Sequence, residues 1–173
     1  LPPQLKTLDA VQVERRLKRT NVAETKAKKE VETGVDAEIA TNSIALQAEQ
    51  TMAIADISIK NGPFLLFGAT GSGKTEVYLH AALEALQADP TAQVLMMVPE
   101  INLTPQLEDR VRERICPIYG DAAVVSLHSG MTNPQRLKSW LSAHMGTARV
   151  VLGTRMAIFA SMPHLKLIVV DEE

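Results

Sequence analysis

The sequence predicts an α/β fold: a parallel sheet flanked by helices, preceded by a short helical and linker segment. Three observations carry the prediction. Five short runs are apolar almost throughout, at residues 64–67, 93–98, 123–127, 149–152 and 166–170. Stretches with helical spacing lie between them. Gly, Pro, Asn or Asp marks most of the boundaries. A strand that is apolar on both faces has to be covered on both, and helices alternating with parallel strands do this.

In chain order, residues 44–60 carry apolar side chains at helical spacing (Leu46, Met52, Ala53, Ile57), and Asn61-Gly62-Pro63 stops that helix. Residues 64–67 read as a buried strand. A Gly-rich loop follows, then a helix from about Thr75 to Ala88 that ends at Asp89-Pro90. Residues 93–98 are the next strand. Thr104-Pro105 opens a helix, with Thr as N-cap and Pro at the first helical position; it runs to about Ile115, before Pro117. Residues 123–127 form a strand. Asn133-Pro134 repeats the cap-and-proline signal and starts a helix to about His144. Two strands, 149–152 and 166–170, complete the sheet. No repeat or low-complexity tract interrupts the order.

The first forty residues differ from the rest. Residues 14–30 hold Arg15, Arg16, Lys18, Arg19, Lys26, Lys28 and Lys29 against three acids, and residues 20–42 nearly lack large apolar side chains. Residues 1–42 therefore read as a separate region with a linker, and 43–173 as the folded lobe. The basic cluster suits a solvated face or a DNA contact. Residue 1 is Leu, and a strand-like run meets three acids at residue 173, so both ends read as cut.

Composition narrows the function. Of 173 residues, 46 % are hydrophobic and 22 % charged, which argues against a wholly disordered chain. The net charge of −2 excludes a strongly basic nucleic-acid coat, though not a local strip. The single cysteine, Cys116, leaves no internal disulfide or Cys-rich zinc site within this chain. No apolar run approaches the ~20 residues needed to span a bilayer, and the first residues lack a signal pattern. The expectation is a cytoplasmic protein with no membrane partner. Aromatics are only 3 % of the chain, so Trp140 and the seven Met are expected in the core, and a long base-stacking track is not available.

The chemistry begins at Gly68-Ala69-Thr70-Gly71-Ser72-Gly73-Lys74-Thr75, a full G-x-x-x-x-G-K-[ST] pattern. Glycines let the backbone curl so that successive N–H groups face phosphate oxygens. The helix that follows offers its N-terminus to the same anion. Lys74 can reach the β- and γ-phosphates of ATP, and the Thr75 hydroxyl can ligate Mg²⁺. The bland alternative is a Gly-rich turn with a solvent lysine. A second half lies about a hundred residues on, where an apolar run meets Asp171-Glu172-Glu173. An acid ending a parallel strand stands at the sheet edge where ligands bind. Asp171 is expected to hold Mg²⁺, and Glu172 to polarise the attacking water; alone, the pattern is equally an acidic turn. Gln50 is a candidate reader of the adenine edge, because an amide both donates and accepts. A surface glutamine fits as well, and Glu49 and Gln47 are lesser candidates.

The cradle and the acidic end together resemble the first motor lobe of superfamily 2 nucleic-acid helicases. Residues 67–79 (FGATGSGKTEVYL), 98–106 (VPEINLTPQ), 127–131 (LHSGM) with Arg136, 153–160 (GTRMAIFA) and 167–173 (LIVVDEE) are similar to the primosomal replication-restart helicases of the PriA family. The resemblance runs from about Gln47 to Glu173. It implies a RecA-like P-loop NTPase lobe and ATP-driven 3′-to-5′ DNA unwinding at stalled replication forks. It also implies forked DNA, other primosome proteins and single-stranded-DNA-binding protein as partners, and a nucleoid-associated location. By motif position it gives Lys74 and Thr75 to phosphate and Mg²⁺, Asp171 and Glu172 to metal and water, and Gln50 to adenine. Family members often carry Gly where Asn102 stands. They continue the acidic motif with His and place zinc-binding cysteines further on, so zinc is expected downstream and not in this chain.

Loops of such a lobe grip the phosphate backbone. Thr104, Gln106, His128, Ser129, Thr154 and Arg155 occupy loop-like positions in the matching motifs, and their hydroxyl, amide and charged groups suit contacts that carry no sequence information. Each has a plainer role: N-cap for Thr104, a packed strand-end ring for His128, an internal ion pair for Arg155. Two other functions compete with the helicase reading, a different P-loop DNA translocase and a nucleotide-binding half-module that does not turn over. A cradle without an opposing lobe lacks the arginine that stabilises transition-state charge, worth about 10³–10⁵ in rate. These 173 residues alone are therefore expected to bind ATP weakly and hydrolyse it slowly.

Overall fold

The computed structural model describes residues 46–59, 62–69, 71–100 and 103–171. The region 1–42, with its basic cluster, lies outside the described residues. So do Thr70, Asn102 and Glu172.

Helix α1 (Ala48–Ile59) packs beside α2 (Lys74–Ala88). Then follow β1 (Gln93–Met97), α3 (Pro105–Tyr119), a 3-10 turn (Asp121–Ala123), β2 (Val124–Leu127) and α4 (Asn133–His144). The chain closes with β3 (Val150–Gly153), a 3-10 turn (Arg155–Phe159) and β4 (Leu165–Val170). The four strands form one sheet in the order β2-β3-β1-β4, and every pair is parallel. This is the predicted α/β class, consistent with a RecA-like lobe. Parallel neighbours cannot be joined by tight hairpins, which is why helices carry the chain from β1 to β2 and from β2 to β3.

Alternation along β1 and β3 divides the core. Val94, Met96, Val150 and Leu152 face one side, where Leu79 and Leu86 of α2 and Val111 and Ile115 of α3 cover them. Leu95 and Val151 face the other, against Leu127, Ala143 of α4 and Ala157. Fully burying each such Leu or Ile is worth about 1.5–3 kcal/mol. The core is aliphatic, as the composition requires. The methionines divide: Met96 is buried, while Met52 and Met156 are exposed. Trp140 is half-buried at the rim, stacked on His144 with its indole N–H donating to the Phe159 carbonyl.

Three expectations need correction. Residues 64–67 are not a strand: they pair with nothing in the sheet, and Leu65 and Phe67 are 92 % and 96 % exposed. An apolar run becomes a strand only where another backbone edge accepts it. Among the described residues the sheet ends at β4, which itself leaves Ile168 and Val170 half-exposed. Helix α3 does not stop before Pro117 but runs to Tyr119. Pro117 cannot donate to the Glu113 carbonyl, and the helix ends soon after it, at Tyr119. The N-cap of α4 is Thr132 and not Asn133: Gln135 Oε1 accepts from both the Thr132 N–H and its hydroxyl. That is a capping box one residue earlier than the Asn-Pro signal suggested.

Candidate nucleotide-binding site

Parallel register brings chemistry to one edge. Met97 stands opposite Gly153 and Val170, and Leu127 opposite Gly153. The segments leaving β1, β2, β3 and β4 therefore all depart from the carboxyl edge of the sheet. They carry Glu100, His128 and Ser129, Thr154 and Arg155, and Asp171.

The loop before α2 is shaped by its glycines. Gly71 and Gly73 have φ of 80° and 81°, a conformation that side-chain-bearing residues rarely adopt. A Cβ on Gly73 would run into the Gln50 amide, and one on Gly68 into the Ser72 hydroxyl. The Ser72 N–H closes the turn onto the Ala69 carbonyl at 3.1 Å. Helix α2 begins at Lys74 with no side-chain cap, and its positive N-terminal end adjoins the loop, an end that favours an anion. Lys74 Nζ donates to the carbonyls of Gly68 at 2.6 Å and Ala69 at 3.3 Å. The ammonium thus lies folded onto the loop that would hold phosphate. This arrangement fits a phosphate cradle.

The acidic half meets it through a tyrosine. Tyr78 Oη is 3.2 Å from Thr75 Oγ1 and 3.1 Å from Asp171 Oδ2. Burial and the neighbouring Asp171 charge push the phenol up to about 12, and the Thr75 hydroxyl opposes them in part. Tyr78 therefore remains a donor at neutral pH. The Thr75 hydroxyl and the Asp171 carboxylate thus meet at one phenol oxygen, and a hydroxyl with a carboxylate is a donor set of the kind Mg²⁺ accepts when phosphate and water supply the rest. Among the described residues no three His, Cys, Asp or Glu side chains gather as a metal site. Glu76, the residue after Thr75, is buried and pairs with Arg114 of α3, with His80 Nε2 at 3.6 Å. That pair ties α2 to α3 beside the cradle. Sequence reasoning did not find Tyr78 or this pair. The available signal was the placing of Tyr78 three residues after Thr75, on the same helix face.

The remaining candidates fall in different surroundings. Gln50 Nε2 donates to the carbonyls of Ser72 and Gly73, each at 3.3 Å, and its Oε1 accepts from the Gln47 N–H at 2.8 Å. The amide nitrogen is thus engaged with the cradle backbone and the oxygen with the backbone just before α1. Thr104 is the N-cap of α3, its hydroxyl oxygen accepting from the Leu107 N–H at 3.3 Å. Gln106 is exposed in the first turn of the same helix, and His128 is half-buried after β2. Ser129 donates to Glu100 Oε1 at 2.6 Å, joining two of the edge loops. Arg155 is exposed. Thr154 is 3 % exposed, enclosed beneath the 3-10 turn that it begins.

The DEAD/DEAH box helicase family profile matches residues 47–173. The chain belongs to the DEAD/DEAH box helicase family. Within that family, it is 40 % identical over 136 residues to a protein of Haemophilus influenzae named Replication restart protein PriA, covering 78 % of this chain and 18 % of that one. Proteins of the same name from Synechocystis and Bacillus subtilis are 46 % identical over 109 residues and 39 % over 138. Those two alignments cover 63 % and 77 % of this chain, and 12 % and 16 % of the relatives. The chain therefore spans less than a fifth of the length of these relatives. The helicase match includes both halves of the site, the cradle and Asp171. No helix among the described residues is long and apolar enough to cross a membrane.

Proposed function

We propose that this chain is the ATP-binding lobe of a DNA motor that unwinds 3′-to-5′ and acts in the restart of stalled replication forks. The carrying observation is the meeting of the glycine cradle and Asp171 at one sheet edge, linked through Tyr78. The name shared by the relatives supports the restart role, and with it forked DNA, primosome proteins and single-stranded-DNA-binding protein as partners in the cytoplasm.

In this reading Lys74 exchanges the carbonyls of Gly68 and Ala69 for the β- and γ-phosphates. The loop N–H groups and the start of α2 hold the same phosphates. Thr75 and Asp171 hold Mg²⁺, which when bound neutralises charge developing on the phosphate oxygens. Glu172, next in the chain, orients the attacking water. Gln50 serves adenine by exchanging its loop contacts for the base. Gln106, His128 and Arg155, with Ser129, meet the DNA phosphates from the edge loops, giving sequence-independent grip.

The test is steady-state ATP hydrolysis by the full-length gene product, with and without forked DNA, beside Lys74→Ala. Forks are expected to stimulate hydrolysis strongly. Loss of the Lys74 ammonium is expected to lower it by about 10²–10³-fold, the scale for removing one preorganised transition-state contact. Circular dichroism at the assay temperature checks that the variant is folded, so that the loss is read as a loss of chemistry. Hydrolysis indifferent to DNA would refute the motor reading and leave a nucleotide switch.

A further inference from the structure

We propose that Tyr78 is a positioning residue for the cation that accompanies the nucleotide, setting the hydroxyl of Thr75 and the carboxylate of Asp171 before the cation arrives. The inference rests on the nucleotide reading above. Its basis is the hydrogen count at one oxygen. Tyr78 Oη is within hydrogen-bond distance of both Thr75 Oγ1 and Asp171 Oδ2. A phenol has one hydrogen, and a carboxylate only accepts. The phenol hydrogen therefore goes to Asp171, and the Thr75 hydroxyl hydrogen goes to the phenol oxygen. The order of donors is fixed: Thr75 to Tyr78 to Asp171.

This order has a consequence for metal binding. A free threonine hydroxyl rotates, and in many orientations its hydrogen points where a cation would stand. Here the hydrogen is drawn toward Tyr78, so the oxygen lone pairs are left for a cation. At the other end one carboxylate oxygen is held by the phenol, which leaves Oδ1 for the cation or for water in its shell. Tyr78 can do this because its ring is fixed. The residue is 8 % exposed and packs in the cluster that includes Leu79, Leu86 and Met96. It also stands one helical turn after Thr75, on the same face of α2. Outer contacts of this kind orient metal ligands, and their loss lowers metal affinity.

A simple brace between α2 and the end of β4 would use the same two bonds. The two roles differ in what they affect. A brace holds the cradle in place whether or not a cation is present. A positioning residue acts on the cation alone, since Lys74 and the loop N–H groups reach phosphate without it.

Tyr78→Phe in the full-length gene product separates them, because the ring stays and only the hydroxyl is lost. The readout is binding of a fluorescent ADP analogue (mant-ADP) at stepped Mg²⁺ concentrations and again in EDTA. Titrations are run at a temperature where circular dichroism shows both chains folded. The Mg²⁺ concentration for half-maximal binding is expected to rise about tenfold in the variant, with affinity in EDTA unchanged. An identical Mg²⁺ response in the two chains overturns the inference and leaves the nucleotide reading intact. Equal weakening with and without Mg²⁺ also overturns it, in favour of the brace. Wild-type chain that fails to bind mant-ADP, or binds it equally well after Lys74→Ala, sinks the nucleotide reading and this inference together.

Discussion

The two ends of the sheet are built differently. At the amino end, polar side chains are saturated by backbone. Gln93 is fully buried; its amide nitrogen donates to the carbonyls of Ala143 and Ala148, each at 2.8 Å, and its oxygen accepts from the His164 N–H at 3.1 Å. Arg149 donates to the carbonyls of Ala92, Asp89 and Leu86 and lies over the Tyr119 ring, 5.1 Å from its centre. The two Gln93 bonds to the Ala143 and Ala148 carbonyls are buried, where water cannot substitute. At the carboxyl end the bonds of Lys74, Gln50 and Ser129 are partly or wholly exposed, and a ligand can replace them. The amino end holds the fold, and the carboxyl end is held ready. Stability and binding should therefore separate when the two ends are changed in turn.

The largest stability effect is expected from Gln93→Leu. The change keeps the size of the side chain, orphans the buried Ala148 carbonyl, and takes one donor from the Ala143 carbonyl, which keeps the Gly146 N–H at 3.2 Å, and the acceptor from the part-exposed His164 N–H. An orphaned buried group costs about 1–3 kcal/mol, so the variant should lose several times the stability that an ordinary surface change removes. Denaturant unfolding measures this. Nucleotide affinity of the folded fraction should not move, and a parallel loss there would erase the distinction between the ends. Gly73→Ala is the opposite case, with an expected cost of about 1–2 kcal/mol. Its φ of 81° disfavours a Cβ, and that Cβ would meet the Gln50 amide. The Gln50 side chain can swing away, which limits the cost to the fold. The cradle cannot keep its shape, so mant-ADP binding should fall far more than the melting temperature.

How much of this was legible follows the same division. β1, β3 and β4 were readable from their apolar runs, and the cap at Thr104 from Thr-Pro, because those signals are local. The cradle was readable for the same reason: eight adjacent residues carry the whole pattern. Residues 64–67 misled because a run of four apolar residues states a need for cover and not its supply. Gln93 reads only as the first residue of the apolar run 93–98. Its three partners lie 50, 55 and 71 positions away, so no local pattern announces them. Tyr78 was hidden similarly, one partner a turn away and the other 93 residues on. Thr154 follows β3 in a loop-like position, but that position does not reveal that the residue is 3 % exposed.

The smallest expected effect concerns pH and tests the amino end alone. Asp89 closes α2, and its Oδ1 accepts from the Thr91 N–H at 2.8 Å and the Thr91 hydroxyl at 2.7 Å, with Lys166 Nζ 3.4 Å from Oδ2. The Thr91 bonds chiefly, and Lys166 less, hold its carboxyl down from 3.8 to about 2. A carboxyl depressed in the folded state binds its proton more weakly there than in the unfolded chain. Its contribution is complete above the unfolded value and is lost as pH falls from 3.8 to about 2. Asp89→Asn should therefore flatten the acid limb of the stability curve in that window and leave neutral pH nearly unchanged, since the group is solvent-facing and its ion pair is screened. High salt sharpens the test. If the Thr91 bonds dominate, added salt leaves most of the wild-type slope in place; if the Lys166 pair dominates, salt removes it.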